Sequence, residues 1–153
     1  MRNRSTSGFT LIEVVITVVI LAVLLTIVIS AINPTKYLAG ARDTQRKSNL
    51  IAILNVIGQR TADNKGIFET GCDAGAIPGT ATKMATGGGN YDIGPCLVPV
   101  YMPNLPFDPR VTNAHWLSTT DYDTGYNIIK DAATGRITVS APSAESETIS
   151  YTR

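Results

Sequence analysis

Gly8-Phe9-Thr10-Leu11-Ile12-Glu13-Val14-Val15-Ile16-Thr17-Val18-Val19-Ile20-Leu21-Ala22-Val23-Leu24-Leu25-Thr26-Ile27-Val28-Ile29-Ser30-Ala31-Ile32 sets the architecture of this chain. From Val14 to Ile32 no residue is charged, and the polar ones, Thr17, Thr26 and Ser30, carry hydroxyls that bond back to helix carbonyls of the preceding turn. Counted from Phe9 the run holds 24 residues, about 36 Å of helix at ~1.5 Å per residue, enough for a hydrocarbon core of about 30 Å with some tilt. It reads as a membrane-spanning helix. Glu13 is the exception, a carboxylate one turn inside the segment, where a charge costs roughly 2.5–3.5 kcal/mol and by default marks a function that needs a partner. The plainer reading starts the apolar run at Val14 and leaves Glu13 snorkelling at the headgroup level. An ordinary secretory signal fits less well, because its apolar core spans about 7–15 residues before a small-x-small site, and Ile29 spoils the site near Ala31.

The leader Met1-Arg2-Asn3-Arg4-Ser5-Thr6-Ser7, then Gly8-Phe9-Thr10-Leu11-Ile12-Glu13 and the long apolar helix, resembles the class III signal of type IV pilins and type II secretion pseudopilins. The resemblance implies cleavage between Gly8 and Phe9 by a membrane prepilin peptidase and N-methylation of Phe9. It also implies an assembly role for Phe9 and Glu13, with Glu13 neutralising the terminal amine of a neighbouring subunit. Opposite charges ~4 Å apart attract by roughly 4 kcal/mol at an effective dielectric near 20, whereas either alone in lipid is penalised, so such a pair selects one axial register. The cytoplasmic N-terminus follows from the resemblance alone. A tally of flanking basic residues sets Arg2 and Arg4 against Lys36, Arg42, Arg46 and Lys47 and does not favour it.

The 153 residues allow one domain, and 13 Lys and Arg against 12 Asp and Glu exclude an electrostatic nucleic-acid binder as the default. Losing Arg2 and Arg4 with the leader leaves 11 against 12. Pro34 should break or kink the helix at Asn33. Beyond it the chain returns to helix, with Leu50, Ile53, Leu54 and Ile57 forming an apolar stripe. Asp63-Asn64-Lys65-Gly66 supplies the stop, with Gly66 suited to the left-handed position. The charged cluster Arg42, Asp43, Arg46 and Lys47 reads as a solvated or subunit-packing face, with Asp43 pairing with Lys47. Anionic-lipid contact and intersubunit pairing with acids such as Asp63 are the other readings.

Residues 67–94 are rich in Gly, Ala, Thr and Asn and read as irregular connection. Cys72 and Cys96, on the exported side, point to a disulfide that restrains this loop, with free thiols as the alternative. The chain-entropy model gives such a loop about 3–4 kcal/mol. Five prolines between Pro95 and Pro109 exclude a central strand and suit an extended surface segment. Within it, Leu105-Pro106-Phe107-Asp108-Pro109 resembles the Leu-Pro-x-Asp-Pro segment that precedes the sheet in major pseudopilins and related pilins, although the tryptophan-glycine expected after it is replaced by Arg110-Val111-Thr112. Tyr126 to Lys130 and Arg136 to Ser140 alternate about a turn at 131–135 and predict an antiparallel hairpin. A strand near His115-Trp116-Leu117 precedes it, and Pro142 onward reads as a loose polar tail.

His115 is the one histidine and has no nucleophile motif beside it, so a hydrolytic triad has nothing to stand on. Asp121-Tyr122-Asp123-Thr124-Gly125 offers alternating carboxylates, a weak candidate for Ca²⁺ through Asp121 and Asp123. The EF-hand spacing fails, since Gly125 falls at the fifth position and Ala132 at the twelfth, and a plain Asx turn is the competing reading.

Together these readings predict an α+β, pilin-like chain: a long N-terminal helix packed on a small, three- or four-stranded antiparallel sheet. The segments are a removed leader (1–8), a membrane-spanning or filament-core half (9–33), an amphipathic half (34–64), a globular β domain with a disulfide loop (65–141) and a polar tail (142–153). The expected function is structural: a non-enzymatic subunit, without cofactor, that resides in the cytoplasmic membrane and then polymerises with copies of itself through pilus or secretion assembly machinery. The product is an extracellular pilus or a periplasmic pseudopilus. A major secretion pseudopilin is the nearest alternative, and a membrane-tethered binding domain that never polymerises is the third.

Overall fold

A computed structural model describes residues 8–153, and the expected leader, but for Gly8, lies outside the described residues. The chain divides into two compact units, residues 1–38 and 39–153. Helix α1 spans Leu11–Ala31 and helix α2 spans Pro34–Asp63. The single helix run expected from Phe9 to Asn64 is therefore interrupted at Ile32-Asn33. Proline explains the position of the break. It disfavours helical geometry at Asn33, yet at the first position of a new helix its missing N–H costs nothing. The Asn33 side chain caps the restart, accepting from the Thr35 hydroxyl at 2.7 Å and the Lys36 amide at 3.4 Å.

The far end of α2 closes as a Schellman motif: the Gly66 amide bonds back to Thr61 O at 2.7 Å and the Lys65 amide to Ala62 O at 3.3 Å. Lys65, at φ +57°, takes the left-handed position that the sequence reading gave to Gly66, and Gly66 follows it at φ +92°. The stripe Leu50, Ile53, Leu54 and Ile57 is buried as expected. It shares one core with Tyr122, Tyr126, Ile128 and Val139 of the sheet.

Five strands build that sheet, one more than the expected maximum: β1 (Thr82–Ala85), β2 (His115–Ser118), β3 (Asp121–Lys130), β4 (Ile137–Ala141) and β5 (Ile149–Thr152). All pairings are antiparallel, in the order β1-β3-β4-β5, with β2 also on β3. Asp123 of β3 pairs with both Ala85 and His115, and Ile128 with both Thr82 and Val139. Strands β2 and β4 therefore lie end to end along the same edge of β3, opposite β1. The gap between them is closed by the 108–111 segment, whose Asp108 amide donates to Thr124 O at 2.9 Å. Gly125 makes that approach feasible: at φ +70° it favours glycine, and a Cβ there would come within 3.0 Å of Asp108 Cβ.

The hairpin β3–β4 forms as predicted, with Gly135 at φ +71° in its turn, and the strand at His115 is β2. Three expectations fail. The 67–94 connection contains β1, whose Met84 and Ala85 are buried; pairing with β3, and not its own composition, makes it a strand. The proline-rich segment is not simply extended surface. It includes the short helix α3 (Gly94–Leu97), with Pro95 tolerated in the first turn, and it buries Leu97, Leu105 and Asp108. Residues 142–153 are not a loose tail, because β5 completes the sheet and Ile149 enters the core.

Candidate assembly interface

Thr10 begins α1 as its N-cap, its hydroxyl accepting the Glu13 amide at 3.3 Å. Thr10-x-x-Glu13 is the spacing of a capping box, a helix-start signal legible in the sequence and passed over in its reading. The capping fixes Glu13 at the third helical position. Among the described residues no side chain donates to its carboxylate, and the acid is held at the helix start, where the N-terminal dipole favours a negative charge.

From Phe9 to Ser30 every residue is exposed, including fifteen large apolar side chains between Leu11 and Ile29. Leu11–Ser30 is long and apolar enough to cross a membrane, with mean hydropathy 3.1 and none of it buried. The hydroxyls are satisfied within the helix: Thr17 donates to Val14 O at 2.8 Å, Thr26 to Val23 O at 2.7 Å and Ser30 to Thr26 O at 2.6 Å. Every backbone and side-chain donor beyond the first turn is thus paired inside the helix, the condition a segment must meet to lie in hydrocarbon. A helix apolar on all faces needs an apolar surround, either lipid or other helices. The arrangement supports insertion and side-by-side packing, and Glu13 is the one directional charge on it.

In the second unit, Cys72 and Cys96 form the disulfide, with Cα atoms 5.4 Å apart. Asp121 and Asp123 lie on β3 and not in a loop. Each has a partner: His115 Nε2 sits 2.9 Å from Asp121 Oδ1, and Lys83 pairs with Asp123 Oδ2. The Gly125 amide donates to Asp123 Oδ1 at 2.8 Å, the Asx contact of the competing reading. Among the described residues no group of three or more His, Cys, Asp or Glu side chains is placed to hold a metal ion. Asp121 bonds the His115 ring and the Asn113 carbonyl faces its other nitrogen, and these two acceptors raise the imidazole's proton affinity above its ordinary value of 6.5.

The charged cluster on α2 overturns its sequence reading. Arg46 and Asp43 are buried, not solvated. The Arg46 guanidinium meets Asp108 in a two-pronged pair, Nε to Oδ2 at 2.7 Å and Nη2 to Oδ1 at 2.9 Å, and also reaches Asp43 at 2.8 Å and Glu145 at 3.0 Å. Glu145 further accepts from Arg42, at 2.7 Å on each oxygen, and from Arg110. Lys47 pairs with Glu147 and not with Asp43. Burial raises the Asp43 carboxyl, but the Glu145 amide, Arg46 and the Ser146 amide outweigh it and bring it down to about 2. Burial likewise opposes, and Arg46 with the Arg110 and Val111 amides overcomes, the shift at Asp108, which ends below the ordinary carboxylate range. The bonds from Arg42, then Arg46 and Arg110, overcome the opposing effect of burial and hold Glu145 below its ordinary range as well. Asp108 and Glu145 lie 62 and 99 residues from Arg46, a separation that no local pattern reveals.

A search of the curated proteins and a search of the solved structures each return no match. The family model for the prokaryotic N-terminal methylation motif matches residues 3–29. The chain therefore carries, over residues 3–29, the N-terminal methylation motif that is the class III signal of type IV pilins and pseudopilins.

Proposed function

We propose that the chain is a pilin: a structural subunit, not an enzyme, that is held in the cytoplasmic membrane by α1 and polymerises into a type IV pilus-like extracellular filament through that helix. The methylation motif, whose match over residues 3–29 takes in most of the exposed apolar helix α1, carries the reading. In this account the leader is removed between Gly8 and Phe9, Phe9 is N-methylated, and α1 exchanges lipid for the same helix of neighbouring copies. The exchange is close to neutral for its apolar side chains, since lipid and a helix bundle are similarly apolar. Glu13 makes it directional: paired with the terminal amine of a neighbour it loses the penalty it carries alone in lipid. A secretion pseudopilus is the second reading, since the Leu105-to-Pro109 segment resembles one that major pseudopilins share with related pilins.

Glu13→Val tests the proposal. We expect a processed, membrane-resident subunit and no sheared surface fibres by electron microscopy; normal fibres would remove the charge-pairing role. N-terminal sequencing of the mature chain should begin at Phe9. Fibres seen only when the chain is overproduced, with periplasmic accumulation at natural levels, would favour the pseudopilus.

A further inference from the structure

Arg60, in the last turn of α2, is a buried cation, 8% exposed. Among the described residues no carboxylate lies within ion-pair distance of it. Its guanidinium instead donates to three backbone carbonyls: Nε to Phe68 O at 2.8 Å, Nη2 to Thr70 O at 2.7 Å and Nη1 to Cys96 O at 2.8 Å. The Phe68 and Tyr101 rings lie against it at 5.4 and 5.8 Å. A charge removed from water is costly unless its hydrogen bonds are replaced, and a planar fork of donors is suited to serving several acceptors at once. The acceptors are not scattered. Phe68 and Thr70 stand four and two residues before Cys72, whose own amide is turned back onto Glu69 O at 3.0 Å, and Cys96 is itself the third acceptor. One side chain on a rigid helix therefore grips both limbs of the loop at the two points where the disulfide forms.

We propose that Arg60 is the positioning residue for formation of the Cys72–Cys96 bond: it docks both limbs while the thiols are still reduced, and the disulfide seals a closure that Arg60 has already imposed. A flexible loop of this length would give its thiols only a millimolar effective concentration for each other, and a docked one gives far more. The oxidant is a disulfide donor, for which oxidised glutathione serves as the probe. One cysteine thiolate attacks a glutathione sulfur and expels a glutathione thiolate. The second cysteine thiolate attacks the protein sulfur of the mixed disulfide, forming the Cys72–Cys96 bond and expelling the other. Two protein thiols give up two protons and two electrons, and one oxidised glutathione becomes two reduced molecules.

The test uses the full chain in detergent micelles, equilibrated with reduced and oxidised glutathione, with the fraction of Cys72–Cys96 bond read by mass spectrometry. Arg60→Met should lower the equilibrium constant for closure by about tenfold. Arg60→Lys should lower it too, because a point ammonium does not span three carbonyls. In urea the variants and the parent should coincide. A native-state constant unchanged in both variants overturns the proposal. A measurement without substitution guards against a variant that fails to fold: exchange of the Arg60 Nε–H by NMR in the fully reduced parent. Continued protection after reduction is expected. Loss of protection would mean that the disulfide holds Arg60 in place, and would refute the assignment.

Discussion

Arg46 has no solvent-exposed side-chain surface and stands among three carboxylates, two of them from distant parts of the chain. Removing one partner of a buried pair leaves the other, here chiefly Asp108, desolvated and without its counter-charge, at a cost of about 3–5 kcal/mol. Arg46→Met should therefore destabilise the protein by that order, measured by chemical denaturation, and a loss below about 1 kcal/mol would match a solvated face instead. His115 offers a second residue-level test. Both ring nitrogens face acceptors, Asp121 Oδ1 and Asn113 O, an arrangement that only the doubly protonated ring satisfies. Its proton affinity is raised on folding, so the stability it contributes is fully present below pH 6.5 and lost as pH rises through the folded value. An NMR titration should place the His115 transition above 6.5 and return it toward 6.5 in Asp121→Asn. The same midpoint in both proteins would remove Asp121 as the cause.

At the scale of elements, α1 and β5 show opposite ways in which sequence reports structure. Helix α1 needs nothing outside itself to be recognised, since its length, its apolar faces and its cap are local. Strand β5 is four residues long and sits in a segment of polar composition. It becomes a strand because β4 offers a free edge from Thr138 to Ala141, and because Asp43 captures the Glu145 and Ser146 amides at 3.0 and 2.7 Å just before it. A chain ending at Pro142 should therefore lose more than a tail. It exposes the edge of β4, uncovers Val139 and Ala141, and strips Arg46 and Arg42 of Glu145. We expect the truncated chain to fail to fold cooperatively by near-ultraviolet circular dichroism, whereas a true tail would leave the spectrum unchanged.

For the whole molecule the consequence is a defined acid sensitivity. Asp43, Asp108 and Glu145 all have proton affinities lowered on folding, so the stability they contribute is present above the unfolded carboxylate range and is lost as pH falls through the folded values. For Asp43 that window runs from about 3.8 down to about 2. Unfolding of the second unit should set in over this window and remain absent at pH 5. Asp43→Asn should flatten the loss of stability with acid, and a curve superimposed on that of the parent would show that Asp43 plays no part.

Much of the chain was legible without coordinates. The long apolar helix, the break at Pro34, the buried stripe of α2, the β3–β4 hairpin and the Cys72–Cys96 pair were all readable because each rests on nearby residues: an apolar run, a fixed φ, a period of 3.6 or 2, or two cysteines flanking a glycine-rich loop. Asp43, Arg46, Asp108 and Glu145 were misread or passed over for the converse reason. A charged helix segment has the same local pattern whether it faces water or a buried carboxylate, and only the folded chain brings the carboxylate to it. Strands β1 and β5 are likewise made by the edges they join. By itself the sequence determined that this chain carries a helix long and apolar enough to cross a membrane and where that helix stops, because hydrophobicity and backbone stiffness act locally. Tertiary structure alone decided which charges are buried and where the sheet ends, because burial and strand pairing depend on partners up to 103 residues away.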